Sequence, residues 1–240
     1  SLARIAMLGT YQGGPVERDG GRLLLASLRK AVIEPCLPTL LRQMSEDPGG
    51  DFFRTYDRYR TWRIMQDPAT GLRTADDAAR ATGVLAGYGS PVKGGGSAEE
   101  YAGPLRTLLG YATRHPALVS EVFPPGRSAD PALEERVRTR LRSDWNADGL
   151  RPALPVQAAG VPAVSLSGVV GNESGLQSSV TVPGAYTTDG WKRVRAFLRD
   201  LGTIRTDAAL RAAFGSEPPD LGAELLALYQ QDYVKAWTAF

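Results

Sequence analysis

Apolar residues recur at helical spacing in one segment after another, and this period constrains the fold more than any motif in the chain. Leu37, Leu40, Leu41 and Met44 fall at i, i+3, i+4 and i+7, positions that share one helix face. Phe52, Tyr56 and Tyr59 line one side of "DFFRTYDRYRTWRIMQ". Leu105, Leu108, Leu109 and Ala112 form another stripe, and Leu133, Val137 and Leu141 repeat every fourth residue toward Trp145. Trp191, Val194, Leu198 and Leu201 form a further helical stripe, and Leu225, Leu226, Tyr229, Tyr233 and Trp237 form one within residues 220–240. A chain patterned this way is expected to be mainly α, with several helices turning their stripes to a core.

Local chemistry places the ends of these helices. Thr74 is the expected N-cap of a helix with Asp76 and Asp77 in its first turn, where the helix dipole favours acids. Ser97 followed by Glu99 and Glu100 has a capping-box pattern. Asp130 precedes Pro131, the preferred first helical residue. Pro35 and Pro38 should kink or restart the helix they interrupt, and His115-Pro116 marks a break. "GYGSPVKGGG", residues 87–96, is the loosest segment.

After Gly149 the chain becomes broken by proline and glycine. "AVSLSGVV" and "LQSSVTV" alternate in the manner of strands, with "GNESG" between them as turn chemistry. A small β-hairpin is expected near residues 163–182. The domain expectation is a helical subdomain at residues 1–148 and a hairpin plus C-terminal helical subdomain at residues 149–240.

The 240 residues carry a formal net charge of +2, so no global field draws the chain to nucleic acid or an anionic surface. Cys36 is the single cysteine, which excludes an intrachain disulfide. No apolar run approaches the ~20 residues needed to span a bilayer. The opening "SLARIAMLGTYQGG" reads as the edge of an excised fragment.

Searches for chemistry return structural readings. His115 is the only histidine, and no HExxH, CxxC or EF-hand spacing accompanies it, so no metal site is expected. The glycines of residues 87–96 lack the Gly-Lys-Ser/Thr ending of a phosphate loop, and no cofactor is expected. No serine sits in a GxSxG elbow, and Cys36 lies between prolines on an apolar segment. Two acids could converge in space as a carboxylate pair, but Glu99, Glu100, Glu134 and Glu135 read as first-turn helix acids. The arginines of residues 52–63 and of "RVRTRLR" alternate with core positions, and are expected to face water while Val137 and Leu141 face inward.

The stretch that most resembles an active site is "VPGAYTTDGWKRV", residues 182–194. Pro183 and Gly184 fit the central positions of a type II turn, which requires a positive φ at the glycine. Thr187 or Thr188 can cap the next helix, Asp189 suits its first turn, and Trp191 begins its stripe. A strand-to-helix corner accounts for every polar group there.

Four blocks in order resemble IcmF-type proteins of type VI secretion. "LGTYQGG", with Tyr11 and Gly13, leads into a helix carrying "PCLPTLLRQM". "FFRTYDRYRTWRIMQDP" is similar to that family's next, aromatic-rich helix. "VSLSGVVG" followed by the "VPGAYTTDGWKRV" block, and "LYQQDYVKAWTAF" with Tyr233 and Trp237, complete the set. The resemblance implies a periplasmic fragment of a large inner-membrane component of a secretion envelope complex. It implies a scaffold that is not an enzyme and self-associates in the core complex. The other implied partners are an outer-membrane lipoprotein, engaged mainly through a β-rich domain downstream, and a DotU-type inner-membrane subunit, engaged through other regions.

The alternative is a periplasmic enzyme acting on peptidoglycan with a carboxylate pair. A cleft holding two acids would favour it; an exposed apolar patch would favour the scaffold. The candidate interaction residues are Lys93 in the glycine-rich loop, Asn172 and Glu173 at the hairpin tip, and Arg136, Arg138 and Arg140 on a basic helix face.

Overall fold

The computed structural model describes residues 14–46, 51–87, 98–122, 130–165 and 181–240. The expected cap at Ser97, most of the glycine-rich loop, and the hairpin beyond its paired ends lie outside the described residues. Helices dominate, and the chain divides into two compact units, Ser1–Arg138 and Thr139–Phe240. The sequence reading set its boundary at residue 148; this division falls upstream, inside a helix.

The first unit begins with α1 (Gly14–Leu28), a π-helical turn (Arg29–Ile33) and α2 (Glu34–Glu46). The two prolines explain the wide turn. Pro35 and Pro38 have no N–H, so the carbonyls four residues before them lose their usual donors. The Glu34 N–H instead reaches back to the Arg29 carbonyl, and Pro38 is held inside α2.

α3 (Phe52–Gln66) starts at Asp51, whose carboxylate accepts the Phe53 N–H at 3.3 Å. Phe52, Tyr56 and Tyr59 are buried as expected, but so are Thr55, Thr61, Trp62, Ile64 and Met65. The helix packs on α2 and on α5, described next, so it hides more than one stripe. Phe52 stacks on Tyr56 at 6.1 Å between ring centres, and Tyr59 on Trp62 at 5.8 Å.

A short α4 (Pro68–Gly71) leads to α5 (Ala75–Ala86), which packs against α6 (Ala98–Arg114). His115 separates α6 from α7 (Pro116–Val122), and its ring lies 4.2 Å from that of Tyr111. Leu25, Leu28, Leu85, Leu105, Leu109 and Val119 share one buried cluster. Burial of each such leucine contributes about 2 kcal/mol. Cys36 belongs to the same cluster, and burial pushes its thiol up from its ordinary range.

α8 (Pro131–Asp144) is capped by Asp130, whose carboxylate accepts the Leu133 N–H at 3.0 Å. In the second unit α9 (Ala147–Leu150) and α10 (Ala153–Gln157) precede a two-stranded antiparallel pair, β1 (Val164–Ser165) and β2 (Thr181–Val182). Val164 pairs with Val182 and Ser165 with Thr181. A 3-10 turn (Gly184–Tyr186) then feeds α11 (Thr188–Thr206), followed by α12 (Ala208–Phe214) and α13 (Gly222–Ala239). α11 is the central element: α10, the 3-10 turn, α12 and α13 all pack on it. Val194, Phe197, Leu201, Leu225 and Tyr229 are among the buried residues of these helices. Trp145 donates its indole N–H to the Pro219 carbonyl at 3.0 Å.

Candidate interaction surfaces

The corner at residues 182–190 is built by close backbone approach. Pro183 has φ −56° and ψ 144°, but Gly184 opens the 3-10 turn instead of taking the expected positive φ. Among the described residues the positive-φ glycines are Gly160 and Gly215. The type II turn is therefore corrected. Gly184 is needed because a Cβ there would overlap the Val161 carbonyl oxygen and come within 2.6 Å of its carbon. Gly190 has the same constraint: a Cβ would overlap the Gly184 oxygen and lie 2.6 Å from that of Ala185. Thr187 caps α11, accepting the Gly190 N–H at 3.2 Å. Asp189 pairs with Lys192 at 2.7 Å at the exposed start of the helix, and this bond lowers its carboxyl below the ordinary range.

From this corner an aromatic ladder runs along α13. Trp191 stacks on Tyr229 at 5.2 Å, Tyr229 meets Tyr186 at 5.6 Å, and Tyr233 meets Trp237 at 6.1 Å. The Tyr229 hydroxyl donates to the Ala185 carbonyl at 2.8 Å, and the Trp237 indole N–H to that of Tyr186 at 2.9 Å. Arg151 ties the same helix down through Asp232.

The ladder passes from core to surface along one helix. Tyr229 is buried, whereas Tyr233 is 41% exposed, Val234 60% and Trp237 37%. The exposed aromatics are thus held in fixed places, which lowers the conformational entropy lost when a partner covers them. The aromatic stripe was legible from its i, i+4 spacing. Val234 was missed because it stands beside the stripe, next to Tyr233.

Burial raises the Tyr229 hydroxyl to about 12, and Tyr186 and Tyr233 add to the shift. The folded value lies above the unfolded value of about 10. Its contribution to stability is therefore full below pH ~10 and lost as pH rises toward 12. Burial also raises the Tyr59 and Tyr186 hydroxyls, so a spectrophotometric titration should show several late-ionising tyrosines, of which Tyr229→Phe removes one. The same variant should lose about 1 kcal/mol in urea unfolding at neutral pH, the worth of its hydrogen bond.

The candidate arginines separate into different roles. Arg136 is exposed. Arg138 donates to the Tyr59 hydroxyl at 3.1 Å and also to Glu134. Arg140 lies 3.5 Å from Asp144 and keeps 18% of its side chain exposed. The expectation that these arginines all face water therefore fails at Arg138 and Arg140, whose carboxylate partners lie one turn away. Arg60 on α3 also turns inward, to Asp77 at 2.7 Å. Glu134–Arg138 and Arg140–Asp144 are i,i+4 pairs, a signal present in the sequence. Lys93, Asn172, Glu173, Tyr11 and Gly13 lie outside the described residues.

The profile of the IcmF-related family, described as "Intracellular multiplication and human macrophage-killing", matches residues 3–240. The chain belongs to this family. The match extends the resemblance from the quoted blocks to both units of the IcmF-related chain, and it ties the chain to a secretion system. Comparisons with curated proteins and with solved structures gave no match. Within the IcmF-related fold, "VPGAYTTDGWKRV" is the glycine-dependent corner, and "LYQQDYVKAWTAF" is the half of α13 where the ladder surfaces.

Proposed function

We propose that this IcmF-related chain is a structural and interaction module of the type VI secretion membrane complex. In this reading it is the periplasmic region of the inner-membrane subunit TssM, a scaffold linking inner- and outer-membrane components. The single observation that carries the reading is the family match across residues 3–240. The anchored, exposed aromatic end of α13 supports it physically, because rigid tyrosine and tryptophan side chains dominate the energetics of protein interfaces. Its partners are further copies of the chain, the outer-membrane lipoprotein through the downstream β-rich domain, and the DotU-type subunit through other regions. It needs no cofactor and binds no nucleic acid.

The enzymatic alternative has its nearest support in Asp57. Burial raises its carboxyl, Asp51 and Asp76 add to this, and Arg80 and Arg60 oppose it. Asp57 is half exposed and lies 3.9 Å from the Arg80 guanidinium, the setting of a surface ion pair. Asp57→Asn is the variant that separates the readings, because it would abolish carboxylate-pair hydrolysis and leave scaffolding intact.

The direct test is light scattering and pull-down of this chain, with and without the downstream β-rich domain. The expected result is a mass above that of one chain, or capture of the lipoprotein. Val234→Asp should weaken that association roughly tenfold, about 1.4 kcal/mol. A single-chain mass and no capture in either form would overturn the scaffold.

A further inference from the structure

A groove in the first unit lies outside the features used above. Its volume is about 400 Å³, within the ~300–1,000 Å³ range of small-molecule sites. Arg22, Leu23, Ala26, Arg29 and Lys30 fall at i, i+1, i+4, i+7 and i+8, so one face of α1 and the start of the π turn form its wall. Val122, the last residue of α7, and Glu34, the first of α2, complete the lining. A π turn is rare and frequently marks a functional site.

The lining combines two properties that suit one kind of ligand. Leu23, Ala26 and Val122 give an apolar surface, and Leu23 is 72% exposed. Arg22, Arg29 and Lys30 outnumber the one lining acid, Glu34. Arg29 is locked in place: its Nε donates to Glu34 at 2.8 Å and its Nη1 to the Val122 carbonyl at 2.7 Å. A guanidinium has five donors, so these two bonds leave others for an anion. Arg22 is held 3.1 Å from Glu121, which also accepts from Arg18 at 2.6 Å. Lys30 has no ion pair among the described residues. Arg29 and Lys30 thus stand at one end of the apolar wall and Arg22 at the other.

We propose that this groove binds an amphiphilic anion, an apolar chain carrying a phosphate or carboxylate head. The chain lies on Leu23, Ala26 and Val122, and the head meets Lys30 and Arg29. This does not depend on the secretion reading, and none of the lining residues belongs to the aromatic end of α13.

The test is calorimetric titration of the chain with octyl phosphate, octyl glucoside and inorganic phosphate. Octyl phosphate should bind saturably at one site, at least tenfold more tightly than the neutral amphiphile or the head group alone. Lys30→Glu and Leu23→Asp, both at exposed positions, should each weaken it at least tenfold, whereas Lys235→Glu in the second unit should not. Circular dichroism establishes that each variant is folded. Co-sedimentation of the wild-type chain with phosphatidylglycerol vesicles, lost in Lys30→Glu, would identify a membrane lipid as the source. Octyl phosphate binding without vesicle binding would identify a free ligand. Absence of saturable binding, equal binding of all three probes, or an unchanged affinity in folded Lys30→Glu would overturn the site.

Discussion

Gly190→Ala is expected to destabilise the second unit by about 3 kcal/mol, at the upper end of what an added methyl group costs in a packed site. The new Cβ would overlap the Gly184 oxygen and lie 2.6 Å from the Ala185 oxygen and 2.7 Å from its carbon. All of these are backbone atoms, so no side chain can rotate aside. Relief requires moving the 3-10 turn away from α11, which also strains the Tyr229–Ala185 and Trp237–Tyr186 hydrogen bonds. For a unit of this size the loss corresponds to a fall in melting temperature of about 12–24 °C. Gly184→Ala should behave similarly, against Val161. Gly202→Ala on the same α11 is the contrast, because a Cβ there meets nothing. It should raise stability by about 0.5–1 kcal/mol through helix propensity and the restricted unfolded chain. Thermal and urea unfolding followed by circular dichroism measure all three. Equal effects of Gly190→Ala and Gly202→Ala would refute the close-approach explanation.

The contrast between these glycines shows what a sequence makes legible. A cap joins residues two or three apart, so Thr74 and Asp130 are placed directly from sequence and Thr187 as one of two candidates, and each of them caps a helix; the cap at Asp51 is a finding of the structure. Helical stripes have the same local character, and the mainly α architecture followed from them. The reason for Gly184 lies at Val161, in a different element, and no local pattern encodes it. Local reasoning therefore supplied the commonest use of Pro-Gly, a type II turn, and was wrong about φ. The arginines failed in the same way. Arg60, expected to face water, meets an acid 17 residues away, a tertiary partner that the local pattern does not encode. Surface character was also partly hidden. The spacing of Tyr229, Tyr233 and Trp237 marks one stripe, but only the packing of α11 shows where along it the core ends.

The second large effect is expected at Asp77, which holds two kinds of structure together. Its Oδ2 accepts the Thr74 N–H at 2.9 Å and the Thr74 hydroxyl at 2.8 Å, while the Thr74 oxygen accepts the Asp77 N–H at 3.1 Å. This reciprocal capping box fixes the start of α5. Its Oδ1 accepts from Arg60 of α3 at 2.7 Å, so the same carboxylate joins the cap to the neighbouring helix. The two side chains retain only 17% and 11% exposure. Asp77→Ala removes the cap's return bond and leaves the Arg60 guanidinium without this carboxylate in a largely buried place. Loss of one partner of a buried pair costs about 3–5 kcal/mol, and partial solvent access at this site argues for about 3. Asp76→Ala, one residue earlier, provides the control. Asp76 is 65% exposed and pairs with Arg80 one turn along at 2.8 Å, an arrangement worth about 0.3–0.5 kcal/mol. In urea unfolding Asp77→Ala should therefore lower stability several times more than Asp76→Ala. Added salt should narrow the Asp76→Ala effect and leave most of the Asp77→Ala effect in place, because screening reaches exposed pairs and not buried ones. Arg60→Met in the Asp77→Ala background decides between the two contributions. If the broken Arg60–Asp77 pair dominates, the double variant recovers part of the loss; if the cap dominates, it recovers none.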